Sequence, residues 1–197
     1  MKLRKHLRPA VASMISLTLL TGCFFPLALF ALGRLLCPSQ AAGSLVTRDG
    51  VIIGSRLIGQ DFSRPEYFHS RPSAAGAGYD GTSSGGTNFG PTNRRFIEDV
   101  RKMAAEYRKC NGLSSDATIP IDAVTRSGSG LDPHISLQNA ALQVPRVTRA
   151  RRLSEEVGWR LLADHTQGRQ LGFMGSPRVS VLDLNLALDQ VAPIPSR

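Results

Sequence analysis

From Pro9 to Gly33 the chain reads PAVASMISLTLLTGCFFPLALFALG, with Arg8 closing the run on one side and Arg34 on the other. The run contains no charged side chain. As a helix it spans roughly 37 Å, enough to cross a hydrocarbon core of about 30 Å. Pro26 removes one backbone hydrogen bond, which neighbouring groups in a membrane helix make good. Small residues fall four apart at Ala12 and Ser16 and again at Thr18 and Gly22, a spacing that lets a second helix approach.

Beyond the run the pattern changes period. Leu45-Val46 and Val51-Ile52-Ile53 flank Asp49-Gly50, so a tight hairpin is expected, with Arg56–Gln60 extending its second strand. Residues 61–93 are rich in Gly, Pro, Ser, Thr and Asn, yet Phe62, Tyr67, Phe68, Tyr79 and Phe89 are spaced through them. Such a loop is ordered and packed. Asn93 then caps a helix whose apolar face is Phe96, Val100, Met103 and Tyr107, and Asn111-Gly112 stops it. Residues 114–135 return to loop. A helix starts at Asp132 or Ser136 and is interrupted at Pro145, a second short one covers Arg146–Leu153, and Ser154-Glu155-Glu156 opens a third. Arg178–Val181 alternates like a strand, and Leu182–Leu188 closes the core as a short helix. The fold class is therefore α+β: one N-terminal transmembrane helix followed by a single mixed domain with long ordered loops. The organisation is a basic tail at 1–8, a span at 9–33, a linker at 34–44 and the α+β domain at 45–197.

Charge orients the span. Lys2, Arg4, Lys5 and Arg8 precede it without an acid, and Arg34 is followed by no charge until Arg48. Excess Lys and Arg stays cytoplasmic, which puts residues 34–197 outside. The net charge of +9 divides into +4 before the span and +5 after it. A lobe with a positive mean field repels cations, and no aromatic platform sits among its arginines, so nucleic acid is not its partner. Two rival readings compete with the span. Leu20-Thr21-Gly22-Cys23 resembles a lipoprotein signal that would anchor a lipoprotein or periplasmic binding module at Cys23, and a cleaved secretory signal is the other. Against both, the apolar run continues through Leu32. With Cys23 and Cys37 near the span and Cys110 alone beyond it, the fold rests on an ordinary core, not on disulfides.

The chain holds no phosphate loop and no paired metal ligands around His69, His134, His165 or Cys110. Gly76-Ala77-Gly78-Tyr79-Asp80-Gly81 fits a dinucleotide fingerprint by letter but follows no strand and opens no helix. Ser129, Asp132 and His134 can be drawn as a triad, but capping of the loop accounts better for residues so close in sequence.

Phe62–Ala75, Tyr79-Asp80, Ser84–Asn88, Gly90–Asn93, Asp122–Thr125, Ser127–Ser136, Gln143–Val147, Leu171-Gly172-Phe173 and Asn185–Asp189 together resemble the C chain of the Kdp potassium-transporting ATPase. The resemblance runs nearly the full chain. It implies a non-catalytic accessory subunit in the inner membrane of a bacterium, partnered by a channel-like potassium-binding subunit, a P-type ATPase subunit and a small helical subunit. ATP and potassium are then handled by the complex. The resemblance also implies partner docking through two loops, 62–93 and 122–136, with Arg64, Tyr67, Phe68, Arg71, Tyr79, Asp80, Asn88, Asn93, Asp132 and His134 as the candidates; the small-residue spacing makes Ala12, Ser16, Thr18 and Gly22 the candidates for helix packing in the membrane. Members of the family are further proposed to raise ATP affinity through a Leu-Ser-x-x-Gln stretch. Here that stretch is Leu153-Ser154-Glu155-Glu156-Val157, without the glutamine, and an outer lobe meets no ATP. A cap on the potassium-binding subunit is the expected role.

Overall fold

A computed structural model describes residues 3–193, with side chains from His6 onward. Lys2 and residues 194–197 of the expected tail and domain lie outside the described residues, as do the side chains of Arg4 and Lys5. The chain forms two compact units that divide between Ile53 and Gly54.

In the first unit, α1 (Leu3–Leu19) runs through a π turn (Leu20–Phe24) into α2 (Phe25–Leu36). Helix thus begins within the expected tail and outlasts Gly33. The stretch His6–Leu36 contains 18 consecutive residues with a mean hydropathy of 2.1 and is long and apolar enough to cross a membrane. The π turn is not evident from the sequence, but its cause is. Phe25 donates its N–H to the Leu20 carbonyl, five residues back, in the turn just before Pro26. Widening the helix there makes room for a proline ring that would otherwise strike the carbonyl four residues before it. Thr21 Oγ1 also donates to the Leu17 carbonyl at 2.7 Å. Cys23 sits inside this turn, in the middle of a continuous helix. A short α3 (Pro38–Ala41) leads to the hairpin of β1 (Leu45–Arg48) and β2 (Val51–Ser55). Asp49 (φ 52°) and Gly50 (φ 78°) both take the left-handed backbone that a two-residue hairpin turn requires. The hairpin falls within the first unit, apart from its last two residues, and not in the domain it was expected to open.

The second strand does not extend over 56–60. Ser55 Oγ accepts the Leu57 amide at 3.2 Å, and the Gly59 amide donates to Leu131 O at 2.7 Å. The backbone groups needed for a ladder are already committed elsewhere.

The second unit is built on α6 (Leu137–Arg151), α7 (Glu155–Asp164) and α8 (Val181–Val191). Beside them lies an antiparallel sheet in the order β3 (His134–Ser136), β5 (Arg178–Ser180), β4 (Thr166–Gln167). Ile135 pairs with Val179, which pairs with Thr166 on its other side. Ile135, Ala140, Val144, Val147, Leu162, Val179, Val181, Leu184 and Leu188 form the buried core, and Phe68 from the long loop joins it. Gly158 lets α7 approach α6: a Cβ there would lie 2.5 Å from Thr148 Cγ2 and 2.9 Å from Val144 Cγ1.

Two further expectations are corrected. α6 is one helix, not two, and passes through Pro145. The proline costs one backbone bond, but Val144 and Val147 on either side are fully buried and hold the helix together. The stretch 114–135 is not all loop, because it carries α5 (Ile121–Val124) and the first residues of β3. Both ends of α4 (Arg94–Asn111) fall as expected: the Asn93 side chain accepts the Arg95 amide at its start, and Gly112 (φ 66°) ends it, whereas Ser154 stands at the start of α7 without a side-chain cap bond. Ser136 starts α6 by accepting the Asn139 amide.

Candidate functional site

Two helices, α6 and α8, reach under the long loop and grip its backbone. From α6, Gln143 accepts the His69 amide at 2.7 Å and donates to the His69 carbonyl at 3.2 Å. From α8, Asn185 does the same for Phe68, at 2.8 Å and 2.9 Å. Each amide side chain thus imitates a strand neighbour, satisfying both polar groups of a loop residue that has no strand to pair with. Arg146 Nη1 donates to the carbonyls of Pro65 and, at 3.0 Å, Tyr67, while its Nε reaches Asn111 Oδ1 at the end of α4, at 2.9 Å. Arg151, its side chain almost fully buried, donates to the Glu66 carbonyl and to Asp189, each at 2.8 Å, and lies 4.7 Å over the Tyr67 ring. Burial pushes the His69 imidazole below its usual pKa, and the Arg146 charge beside it adds to this.

This clamp escapes a reading of single residues, since Asn139, Gln143, Arg146 and Asn185 are polar groups on otherwise apolar helix faces. Their spacing is the available signal: Asn139, Gln143 and Arg146 lie at i, i+4 and i+7, along the stripe that should have been greasy.

The second half of the loop is zipped to residues 127–132. Ser73 Oγ donates to Gly130 O at 2.6 Å, Gly85 N to Ser129 O at 2.9 Å, and Ser84 Oγ to the same carbonyl at 2.9 Å. The backbones approach so closely that only glycine fits at 130. Its φ is +70°, and a Cβ would lie 2.6 Å from Ala75 N and 2.8 Å from Gly85 O. Tyr79 adopts φ 56°, unusual for a bulky residue, and is held there by its amide on Ser73 Oγ at 2.9 Å and its hydroxyl on Arg71 O. Burial pushes the Tyr79 phenol up to about 12.

Of the ten docking candidates, three meet in one cleft. Arg71, Asp132 and His134 line an open cavity of about 510 Å³ together with Ile121, Asp122, Ser136 and the segment Ser176–Arg178 that leads into β5. Arg71 Nη1 is 2.8 Å from Asp132 Oδ2, and the other Asp132 oxygen accepts the His134 amide at 3.0 Å. Burial alone would raise the Asp132 carboxyl, but hydrogen bonds from His134 and Arg71 bring it down to about 2. Arg71 Nε is buried without a hydrogen-bond partner, a spare donor behind the cleft wall.

The other candidates lie apart from this cleft. Arg64 pairs with Glu66 at 3.3 Å, and Tyr67 donates to Asp189 at 3.2 Å within the clamp. Phe68 is 1% exposed and belongs to the core, so its side chain offers no surface to a partner. Asp80 accepts the amide and hydroxyl of Thr82, closing a local turn. Asn88 is exposed with φ 51°, and Asn93 is the α4 cap.

The drawable triad is dismantled by its own bonds: Ser129 Oγ accepts the Leu131 amide, and Asp132 is taken by Arg71 and the loop. At Ser154, Glu155 and Glu156 occupy the first turn of α7, where the phosphates of a nucleotide would meet two carboxylates. Ala12 and Ser16 lie in α1 with Thr18, and Gly22 falls in the π turn with open space around it. Among the described residues, no group of three or more His, Cys, Asp or Glu side chains is placed to hold a metal ion.

A long apolar helix followed by an α+β unit, in which distant loops are bound into one surface, is the class of protein these features define. Residues 7–190 match the family model described as KdpC, the c chain of the K+-transporting ATPase. The chain is 50% identical over 189 residues to the potassium-transporting ATPase KdpC subunit of Mycobacterium tuberculosis H37Rv, covering 96% of this chain and 100% of that protein. It is 46% identical over 195 residues to the KdpC subunit of Koribacter versatilis (98% and 99% covered) and 49% identical over 190 residues to that of Beijerinckia indica (96% of each). The chain belongs to the KdpC family and is a subunit of a potassium-transporting ATPase. Nothing in these relatives supports the alternative of a lipoprotein or binding module attached at Cys23.

Proposed function

We propose that this chain is a non-catalytic accessory subunit of an ATP-driven potassium import complex in the bacterial inner membrane. Its helix crosses the bilayer once with the N-terminus in the cytoplasm, and its second unit caps the potassium-binding subunit from outside. The observation that carries this reading is the zipping of residues 71–86 onto 127–132 beside a clamp that fixes residues 65–69. Polar groups that an enzyme would aim at a substrate are spent here on holding two loops in one shape, which is what a docking surface needs.

The basic residues before the span, against Arg34 alone just after it, support the orientation. Ala12, Ser16, Thr18 and Gly22 are the positions at which the span packs on its membrane partners. The partners are the channel-like potassium-binding subunit, the P-type ATPase subunit and the small helical subunit. ATP and potassium are handled by those chains, and the carboxylates at the start of α7 argue against a nucleotide at Ser154.

The test is the potassium-stimulated ATPase activity of complex purified with and without this chain. The reading predicts that activity is lost without it and returns when the chain is added back. Full activity in its absence would contradict the reading.

A further inference from the structure

Large apolar side chains crowd one turn of the second unit. Leu171 is 82% exposed, Phe173 71% and Met174 49%. Single exposed apolar residues are ordinary on a soluble surface, but three within four positions of one turn are not. The turn is closed, not loose: Gln170 and Met174 exchange two backbone hydrogen bonds, each 2.9 Å. Leu171 (φ 53°) and Gly172 (φ 82°) take left-handed backbone at its tip, and Gly175 (φ 77°) does so at its exit. A hairpin that holds a leucine in left-handed conformation while leaving its side chain in water makes two unfavourable choices at one residue.

The same turn runs directly into the cleft. Ser176 and Pro177, the residues that leave it, form part of the wall that faces Arg71, Asp132 and His134, and Ile121, 76% exposed, stands on that wall too. Apolar tip and charged cleft are therefore one continuous surface. This continuity selects the occupant. A phospholipid surface would suit the tip but not the cleft, where the Asp122 and Asp132 carboxylates balance Arg71 and Arg178 and leave no net positive charge to hold anionic headgroups. Within the cleft Arg71 is paired with Asp132, and Arg178 donates to the Gln167 side chain at 3.2 Å. From Gly168 to Pro177 the turn holds one basic residue, Arg169, and none of the Trp or Tyr that mark membrane interfaces. A protein surface with an apolar recess beside a polar segment matches both halves.

We propose that the 170–174 hairpin is the anchor of docking: Phe173 and Leu171 enter an apolar recess on another subunit of the ATPase, while a polar segment of the same subunit enters the adjoining cleft. This rests on the docking role proposed above and adds the element that carries its affinity. A rigid aromatic at the centre of a contact, rimmed by polar groups, is the usual arrangement of a binding hot spot.

The experiment places the photo-crosslinking residue p-benzoylphenylalanine at position 173, and separately at position 134, in the full chain within the complete membrane complex. Light is expected to join position 173 to another subunit of the ATPase. In the same complex, Phe173→Ser should weaken retention of the chain by about tenfold or more, with the unfolding midpoint of the full chain unchanged because the side chain is exposed. A crosslink at 134 without one at 173 overturns the anchor and leaves docking intact. Crosslinking of 173 to lipid alone overturns it in favour of a membrane contact. No crosslink from either position removes the docking reading together with the anchor.

Discussion

Asp132 shows how one residue serves both shape and surface. Its two oxygens are divided between Arg71 and the His134 amide, so the carboxylate ties the long loop to the start of β3 while lining the cleft. Its pKa falls from 3.8 to about 2 on folding, which fixes the sign of its pH dependence. A carboxyl with a depressed folded-state pKa stabilises the fold above its unfolded value, and this contribution disappears as pH falls through the folded one. With the side chain about a third open to solvent, the contribution is about 1–2 kcal/mol at neutral pH. Asp132→Asn should therefore be less stable than the native chain at pH 7, with the gap closing between about pH 4 and pH 2. Denaturant unfolding of both full chains across that range measures it, and a gap independent of pH would show that the carboxylate charge does not hold the loops.

At the scale of elements, local chemistry wrote much of the fold plainly. The α4 caps at Asn93 and Gly112, the hairpin turn at Asp49-Gly50 and the apolar run of the first unit all follow from residues next to one another in sequence. What sequence could not supply was pairing at a distance. β3 and β4 have three and two residues, too short for any period, and exist because β5 lies between them. Pro145 read as a break because propensity is local, while the burial that carries α6 through it is tertiary. The candidate site was legible in part: Arg71, Asp132 and His134 do meet, but Gln143, Asn185, Arg146 and Arg151, which make the loop rigid, are visible only once α6 and α8 lie beneath it. The clamp gives an element-scale prediction. Asn185→Leu keeps the size of the side chain but leaves the Phe68 N–H and carbonyl buried and unpaired, at a cost of about 2–4 kcal/mol. The unfolding midpoint should drop accordingly, and protease should cut first within 61–70. An unchanged midpoint would mean that the loop does not depend on α8.

At the scale of the whole molecule, the two units divide the work. The first supplies a helix of the length and hydropathy needed to cross a bilayer, and the second supplies a rigid surface with a cleft and an apolar turn. The proposed role depends on which side of the membrane the second unit occupies, since a cap on the potassium entrance must be outside and a partner for ATP must be inside. Cys110, an exposed free thiol at the end of α4, reports on this directly once Cys23 and Cys37 are replaced by alanine. Whole spheroplasts containing the complete complex are treated with a membrane-impermeant maleimide, with and without lysis. The account predicts that Cys110 is labelled equally in intact and lysed cells; labelling that appears only after lysis would place the lobe in the cytoplasm and contradict it.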